Sequence, residues 1–478
     1  MDKTPTPRLT FELAVEALTG SVTPGSGTPL RAAVIDSREV IPGSLFVALQ
    51  GEQVNGHDFL AQAFERGARA ALVERDRLGR WPVVDLRRGV PPLPLPEGCC
   101  LRVDSTVAAL QQIARYWRSR LSLRVIGITG SVGKSTTKEV AAELLERRFR
   151  TLRNLGNLNN EIGLPLTILR LTADHSRAVL EMGFYVPGEI ALLCDIARPQ
   201  VGVITNIGPV HLERAGSMEA IVAGKRELVE SLPPAPEGVA ILNFDDERVK
   251  AMAGSTRARV FSYGLTAEAD LWADQIVGLG LDGVRFALHH GREHEHIRVP
   301  MLGRHSVHTA LRAAAIGLVE GLSWEEILAG LQSTHAQLRL VAVPGPEGSI
   351  LLDDTYNAAP ESTIAALNLL AELEGRRLAV LGDMLELGAY EEAGHRMVGA
   401  RAAEVVDELV TVGTRARWIA EEAARAGLPA GHVAQFETAG PAIEALRRRI
   451  GGGDVVLIKG SRGMHMDQIV DALAEGTS

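Results

Sequence analysis

Eight consecutive residues, Thr129-Gly130-Ser131-Val132-Gly133-Lys134-Ser135-Thr136, place two glycines, a lysine and flanking hydroxyls in the order that holds a polyphosphate. Glycine lets successive backbone N–H groups turn toward one anion. The start of a following helix adds its positive dipole end, the lysine reaches the outer phosphates, and Ser135 offers a hydroxyl to Mg²⁺. The β-branched run Val125-Ile126-Gly127-Ile128 comes before the loop and a helical pattern after it, which is the strand–loop–helix setting the chemistry needs. The strict G-x-x-x-x-G-K-[ST] spacing fails at its first position, Ile128, with Gly127 one place early; Gly130, Gly133, Lys134 and Ser135 keep the rest. A nucleoside triphosphate is expected here.

Two further groups fall where ligands collect in open parallel sheets, beyond the carboxyl ends of strands. Glu181 closes the apolar run Ala178-Val179-Leu180, and His211 follows Val201-Gly202-Val203-Ile204. Lys225 lies on the next helical segment.

The elements that position these groups read as three α/β units. Prolines between Val90 and Gly98 remove amide donors and fix φ, so no helix or central strand runs through them. A second break lies at Val343-Pro344-Gly345-Pro346. The expected domains are 1–98, 99–338 and 339–478. The first is small, with short strands (Ala32 to Ile35, Leu45 to Leu49) and a helix near Ala61 to Ala68. In the second, a helix over Ser105 to Leu121, capped by Asp104 or Ser105, leads into apolar strands at 125–128, 178–180, 201–204 and 239–242. In the third, strands at 350–352, 377–381, 408–412 and 455–458 alternate with alanine-rich helices. Strands alternating with helices imply mainly parallel sheets covered on both faces, doubly wound and Rossmann-like in the last unit.

Bulk properties narrow the class. A net charge of −9 over 478 residues argues against a general nucleic-acid binder. Cys99, Cys100 and Cys194 fit neither a disulfide framework nor a zinc spacing, and read as reduced thiols. The N-terminus lacks a signal-peptide pattern, and no uncharged apolar run reaches the ~18 residues that span a bilayer. A cytoplasmic protein without membrane insertion is expected.

The form Thr-Gly-Ser-Val-Gly-Lys-Ser resembles the Mur ligase family, and further motifs follow in that family's order. These are Gly156-Asn157-Leu158-Asn159-Asn160-Glu161, Glu181-Met182-Gly183, Thr205-Asn206-Ile207-Gly208-Pro209-Val210-His211, Lys225-Arg226-Glu227, Asn243-Phe244-Asp245-Asp246 and Gly303-Arg304-His305. The last third carries Asp353-Asp354-Thr355-Tyr356-Asn357, Gly382-Asp383-Met384 and Lys459-Gly460-Ser461-Arg462. Near the start, Asp36-Ser37-Arg38 and Gly56-His57-Asp58-Phe59 resemble the family's UDP-substrate domain.

The resemblance implies an ATP-dependent ligase that turns a carboxylate into an acyl phosphate and then an amide. Its implied substrates are UDP-N-acetylmuramoyl-tripeptide and D-alanyl-D-alanine, the latter favoured by Asp-Asp-x-Tyr-Asn. A different amino-acid adder of the family, or a polyglutamate-type ligase, is the alternative; a phosphate-loop ATPase switch leaves the first-domain motifs unexplained. By the resemblance, Ser135, Glu181, His211 and Lys225 hold two Mg²⁺ ions, with Lys225 carbamylated. Arg339 and Asp354 meet ATP from the C-terminal side, where the last domain closes over the nucleotide. Ser37, Arg38 and His57 face the UDP diphosphate; Asn159 and Asn160 contact phosphates or the muramoyl part; Asn357, Lys459, Ser461 and Arg462 orient the dipeptide. A monomer is expected.

Three positions depart from the family. Ser306 and Thr309 stand where asparagines are usual, which alters the groups offered to adenine and leaves open whether His308 compensates. Ala359 replaces a second asparagine after Asn357.

Overall fold

Three α/β units, each around its own sheet, are seen in a computed structural model that describes residues 8–21, 27–51, 54–76, 78–89, 95–334 and 340–474. The first sheet has five parallel strands in the order Ala32–Val34, Ser44–Val47, Ala68–Val73, Cys99–Arg102, Val83–Asp85. Its fourth strand lies beyond the boundary drawn at 98/99, so that boundary cuts the sheet one strand early. The adjacent cysteines are the reason this strand is hard to see: Cys99 packs into one apolar cluster and Cys100 into the cluster on the opposite face. All three cysteines are buried thiols, and burial raises them to about 11 (Cys99) and about 12 (Cys100, Cys194). The helix expected to Ala68 stops at Glu65, because Gly67 takes φ +96° and Ala68 starts a strand.

Helix Thr106–Ser119 joins this unit to the next. Ser105 Oγ accepts the N–H of Ala108 (3.2 Å), which makes Ser105 the cap.

The central sheet runs in the order Glu293–Val299, Val284–His290, Leu271–Gly278, Arg259–Gly264, Val239–Asn243, Val201–Ile204, Arg124–Thr129, Arg177–Glu181, Thr151–Arg153. Pairing is parallel from Thr151–Arg153 through Leu271–Gly278, and the last two strands are antiparallel. Helices cover both faces. On one side Leu144 and Leu311 meet Ile126, Ile128 and Val203; on the other Ile113, Ile190 and Leu228 meet Leu180 and Ile204. Each such aliphatic side chain removed from water contributes about 1.5–3 kcal/mol, which fixes the strand register. Strand Arg124–Thr129 lies between Arg177–Glu181 and Val201–Ile204, so the chain order reverses there and opens a crevice at the carboxyl ends.

The third sheet has the order Val341–Pro344, Ile350–Asp354, Val455–Lys459, Arg377–Gly382, Glu408–Val412, Val433–Phe436, with only the first pair antiparallel. No helix is long and apolar enough to cross a membrane among the described residues.

Candidate active site

The phosphate loop fills the turn between strand Arg124–Thr129 and helix Lys134–Glu146. It is fastened to the end of the neighbouring strand. Ser131 N–H donates to the Asn206 carbonyl (2.9 Å) and Val132 N–H to Asn206 Oδ1 (2.8 Å). Ser131 Oγ donates to the Gly208 carbonyl (3.0 Å) and accepts the Gly208 N–H (2.8 Å). Thr129 Oγ1 donates to the Met182 carbonyl (3.0 Å). Gly130 takes φ +145°, and a Cβ there would sit 1.8 Å from Thr205 Oγ1, so only glycine lets the loop approach this closely. Lys134 Nζ donates to the carbonyls of Gly130 (2.7 Å) and Ser131 (3.2 Å).

Glu181 is held by two side chains, Ser135 and Asn159. Ser135 Oγ donates to one carboxylate oxygen (2.5 Å) and Asn159 Nδ2 to the other (2.8 Å). Behind it, Asn154 and Lys138 form a support that the motif analysis missed. Lys138, 1% exposed, donates to the Asn154 carbonyl (2.8 Å) and to Glu139 (2.9 Å). The sequence signal was present: Asn154 opens the asparagine cluster, but nothing local shows that it faces inward.

His211 sits at φ +63° with Tyr185 edge-on at 4.8 Å. Its Nδ1 meets Glu386 of the third unit at 2.5 Å. Burial and the nearby Lys134 lower its pKa to about 4, against the opposing pull of Glu386. Lys225 is 1% exposed, its Nζ 4.4 Å from the centre of the Phe184 ring. Burial, then Lys134, holds its pKa well below the usual lysine value. Phe184, which the Lys225 amine faces, lines the neighbouring cavity, and a Cβ on Gly224 would strike that ring at 1.9 Å.

Two cavities meet at the loop. One, about 440 Å³, holds Val132, Gly133, Ser135, Thr136, Asp354 and Lys459. The other, about 370 Å³, holds Asn159, Asn160, Glu181, His211, Ser461 and Arg462. Ser131, Lys134, Val210, Asn357, Ala358 and Ala359 belong to both. Central and C-terminal units therefore wall both spaces, and they touch directly where Glu213 N–H donates to the Glu386 carbonyl (3.3 Å).

The remaining expected residues divide. Asn160 Oδ1 accepts the N–H of Gly163 (2.8 Å) and so starts the next helix while facing the cavity. Lys459 donates to Asp354 (2.6 Å) and to the Asn357 carbonyl (2.9 Å), and it lines the loop-side cavity rather than the one shared with Arg462. Ser461 Oγ accepts the Leu385 N–H (2.9 Å), and the Arg462 guanidinium lies 5.6 Å over the Tyr356 ring. Arg339 lies outside the described residues. Ser37, Arg38 and His57 line neither cavity. His57 is engaged inside its own unit: Nδ1 pairs with Asn55 (2.8 Å) and Nε2 accepts the Glu74 N–H (3.0 Å). Ser37 Oγ donates to Gln62 (2.5 Å), and Arg38 pairs with Asp36 on the surface. Ser306 Oγ is taken by the Leu302 carbonyl (2.6 Å), and His308 Nε2 is held by Asp245 (2.8 Å).

No group of three or more His, Cys, Asp or Glu side chains that could hold a metal occurs among the described residues. Ser135 and Glu181 nonetheless converge as hard oxygen donors, and that pair suits Mg²⁺, which completes its shell with phosphate oxygens and water.

Three family models match the chain: Mur ligase family, catalytic domain over 31–118; Mur ligase middle domain over 128–317; and Mur ligase, glutamate ligase domain over 338–462. The UDP-N-acetylmuramoyl-tripeptide–D-alanyl-D-alanine ligase of Bacillus subtilis is 35% identical, covering 94% of each chain. That of Escherichia coli is 36% identical over 94% of this chain and 95% of its own. Among solved structures, MurF from Acinetobacter baumannii matches with TM-score 0.82 and 31% identity, over 98% of this chain and 99% of that one. MurF ligase from Thermotoga maritima in complex with ADP matches with TM-score 0.77 and 27% identity, over 92% and 96%.

Proposed function

The chain belongs to the Mur ligase family, and from that premise we propose that it joins D-alanyl-D-alanine to UDP-N-acetylmuramoyl-tripeptide, using ATP, to give the peptidoglycan pentapeptide precursor in the cytoplasm. The observation that carries this reading is the meeting of two cavities at Lys134. A triphosphate cradled by Gly130 to Thr136 presents its terminal phosphoryl group at the junction, where a carboxylate held from the other side can reach it.

The tripeptide carboxylate oxygen attacks that phosphorus, the bond to the bridging oxygen breaks, and ADP leaves. The dipeptide amine then attacks the acyl carbon, loses its proton, and inorganic phosphate departs as the amide forms. Phosphoryl transfer asks the protein mainly for alignment and charge neutralisation. Lys134 supplies a cation at the junction. Asn159 and Asn160 line the acceptor side, and Asn357, Ser461 and Arg462 place the amine. Lys459 and Asp354, with Arg339, act on the nucleotide side.

Mg²⁺ fits Ser135 and Glu181, where it would neutralise adjoining phosphate oxygens. His211, neutral at physiological pH, and a carbamylated Lys225 would serve a second ion. An amine must be uncharged to add to CO₂, and the buried setting of Lys225 favours that form. The same reading has the protein acting as a monomer.

The test is phosphate release and product mass with ATP, UDP-N-acetylmuramoyl-tripeptide and D-alanyl-D-alanine, each omitted in turn. Pentapeptide formation that needs all three is expected. ATP turnover indifferent to both acceptors would overturn the assignment.

A further inference from the structure

Arg312 is a cation in an apolar place. It lies on helix Ser306–Val319, within an unbroken buried stretch from Thr309 to Gly317, and is itself 4% exposed. A buried guanidinium needs compensation. Arg118, equally buried, receives it from the carbonyls of Ala197, Leu121 and Leu123. Arg312 is met by threonine hydroxyls: Nε donates to Thr137 Oγ1 (2.7 Å) and Nη2 to Thr309 Oγ1 (2.9 Å). The Tyr263 ring lies 6.0 Å from the guanidinium carbon, and no carboxylate forms an ion pair with Arg312 among the described residues.

Its position says what the missing partner is. Arg312 lines the loop-side cavity with Gly133, Ser135 and Thr136, and Nη2 lies 2.8 Å from where a Cβ on Gly133 would stand. Thr137 Oγ1, which accepts from Nε, also donates to the Gly133 carbonyl (2.7 Å), so loop and guanidinium are held by one hydroxyl. Lys134 borders both cavities, whereas Arg312 borders only the nucleotide side and stays away from the transfer point.

We propose that Arg312 donates a charged hydrogen bond to a non-terminal phosphate of the bound nucleotide, so that it holds ATP and ADP alike and takes no part in the transfer itself. The proposal rests on the reading that this loop binds ATP. It also accounts for Thr309, whose hydroxyl orients the guanidinium instead of meeting adenine.

Dissociation constants for ATP, ADP and adenosine, measured on the full chain and on Arg312→Met and Arg312→Lys, test it. Arg312→Met is expected to weaken ATP and ADP by the same factor, about ten- to hundredfold, the size of one charge-assisted bond. Adenosine binding should not change. In turnover, KM for ATP should rise while kcat moves much less. Arg312→Lys keeps the charge and the stem and should recover part of the loss; it serves alone if the methionine variant does not fold. ADP affinity unchanged in both variants, or adenosine weakened as much as ADP, would overturn the proposal. Failure of the unaltered protein to bind ADP would instead remove the nucleotide reading beneath it.

Discussion

Asn154 grips Glu181 at both of its backbone groups, its Oδ1 accepting the Glu181 N–H at 3.0 Å and its Nδ2 donating to the Glu181 carbonyl at 3.1 Å. Nδ2 also donates to the Leu158 carbonyl (2.9 Å), so one fully buried side chain ties the strand end that carries the carboxylate to the loop that carries Asn159. Asn154→Ala leaves those backbone groups unsatisfied, a cost of about 1–3 kcal/mol. The variant should melt earlier and need more Mg²⁺ for half-maximal turnover, because Glu181 is no longer aligned with Ser135. A melting curve and a Mg²⁺ activation curve both matching those of the unaltered protein would refute the positioning role.

The burial of His211 beside Lys134 predicts a pH effect with a definite sign. Burial lowers His211 to about 4 in the folded chain, below the ~6.5 of an unfolded histidine. Between these values the unfolded chain binds the proton and the folded chain does not, so the stability is full above about 6.5 and is lost as pH falls toward 4. From pH 6.5 to 5 the loss is on the order of 2 kcal/mol. Melting midpoints measured across this window should fall less steeply in His211→Gln. Equal slopes in the two proteins would show that the histidine titrates normally.

Some of this was legible and some was not, for reasons that particular residues make plain. The parallel strands announce themselves as apolar runs because helices cover both their faces; Val201 to Ile204 is buried at every position. The antiparallel hairpin Val284–Val299 does not, since Glu293 to His296 are all exposed and leave no such run. The loop at Gly130 to Ser135 is a local motif and was read directly. Glu386 lies 175 residues from the histidine it meets, as Arg312 does from Thr137, and no spacing rule spans such distances. The motif around His57 gave no sign that its two ring nitrogens meet Asn55 and the Glu74 N–H. A motif gives the residue type, and only the fold says which way it points.

Lys225 offers a chemical test. An uncharged, buried amine beside Phe184 adds CO₂ more readily than an ordinary surface lysine, which is almost wholly protonated at neutral pH. Enzyme prepared free of CO₂ and bicarbonate should lose most of its activity and regain it when bicarbonate is returned. Isotopically labelled bicarbonate should give a carbamate signal that is absent from Lys225→Arg. Full activity after exhaustive degassing, with no such signal, would rule the modification out.

The pair Asp354–Lys459 gives the last prediction. The two residues face each other in register across adjacent parallel strands, and the lysine is 2% exposed. Their 2.6 Å contact sits where the third sheet meets the loop-side cavity. Removing one member of a buried pair costs about 3–5 kcal/mol, largely from the charge left behind, whereas removing both often costs far less. Lys459→Met should therefore unfold at clearly lower urea, and Asp354→Asn combined with Lys459→Met should recover much of that stability. Neither variant should recover ligase activity, because both lose charge from the nucleotide side. If the double variant is no more stable than Lys459→Met alone, the lysine is acting through its bond to the Asn357 carbonyl and not through the carboxylate.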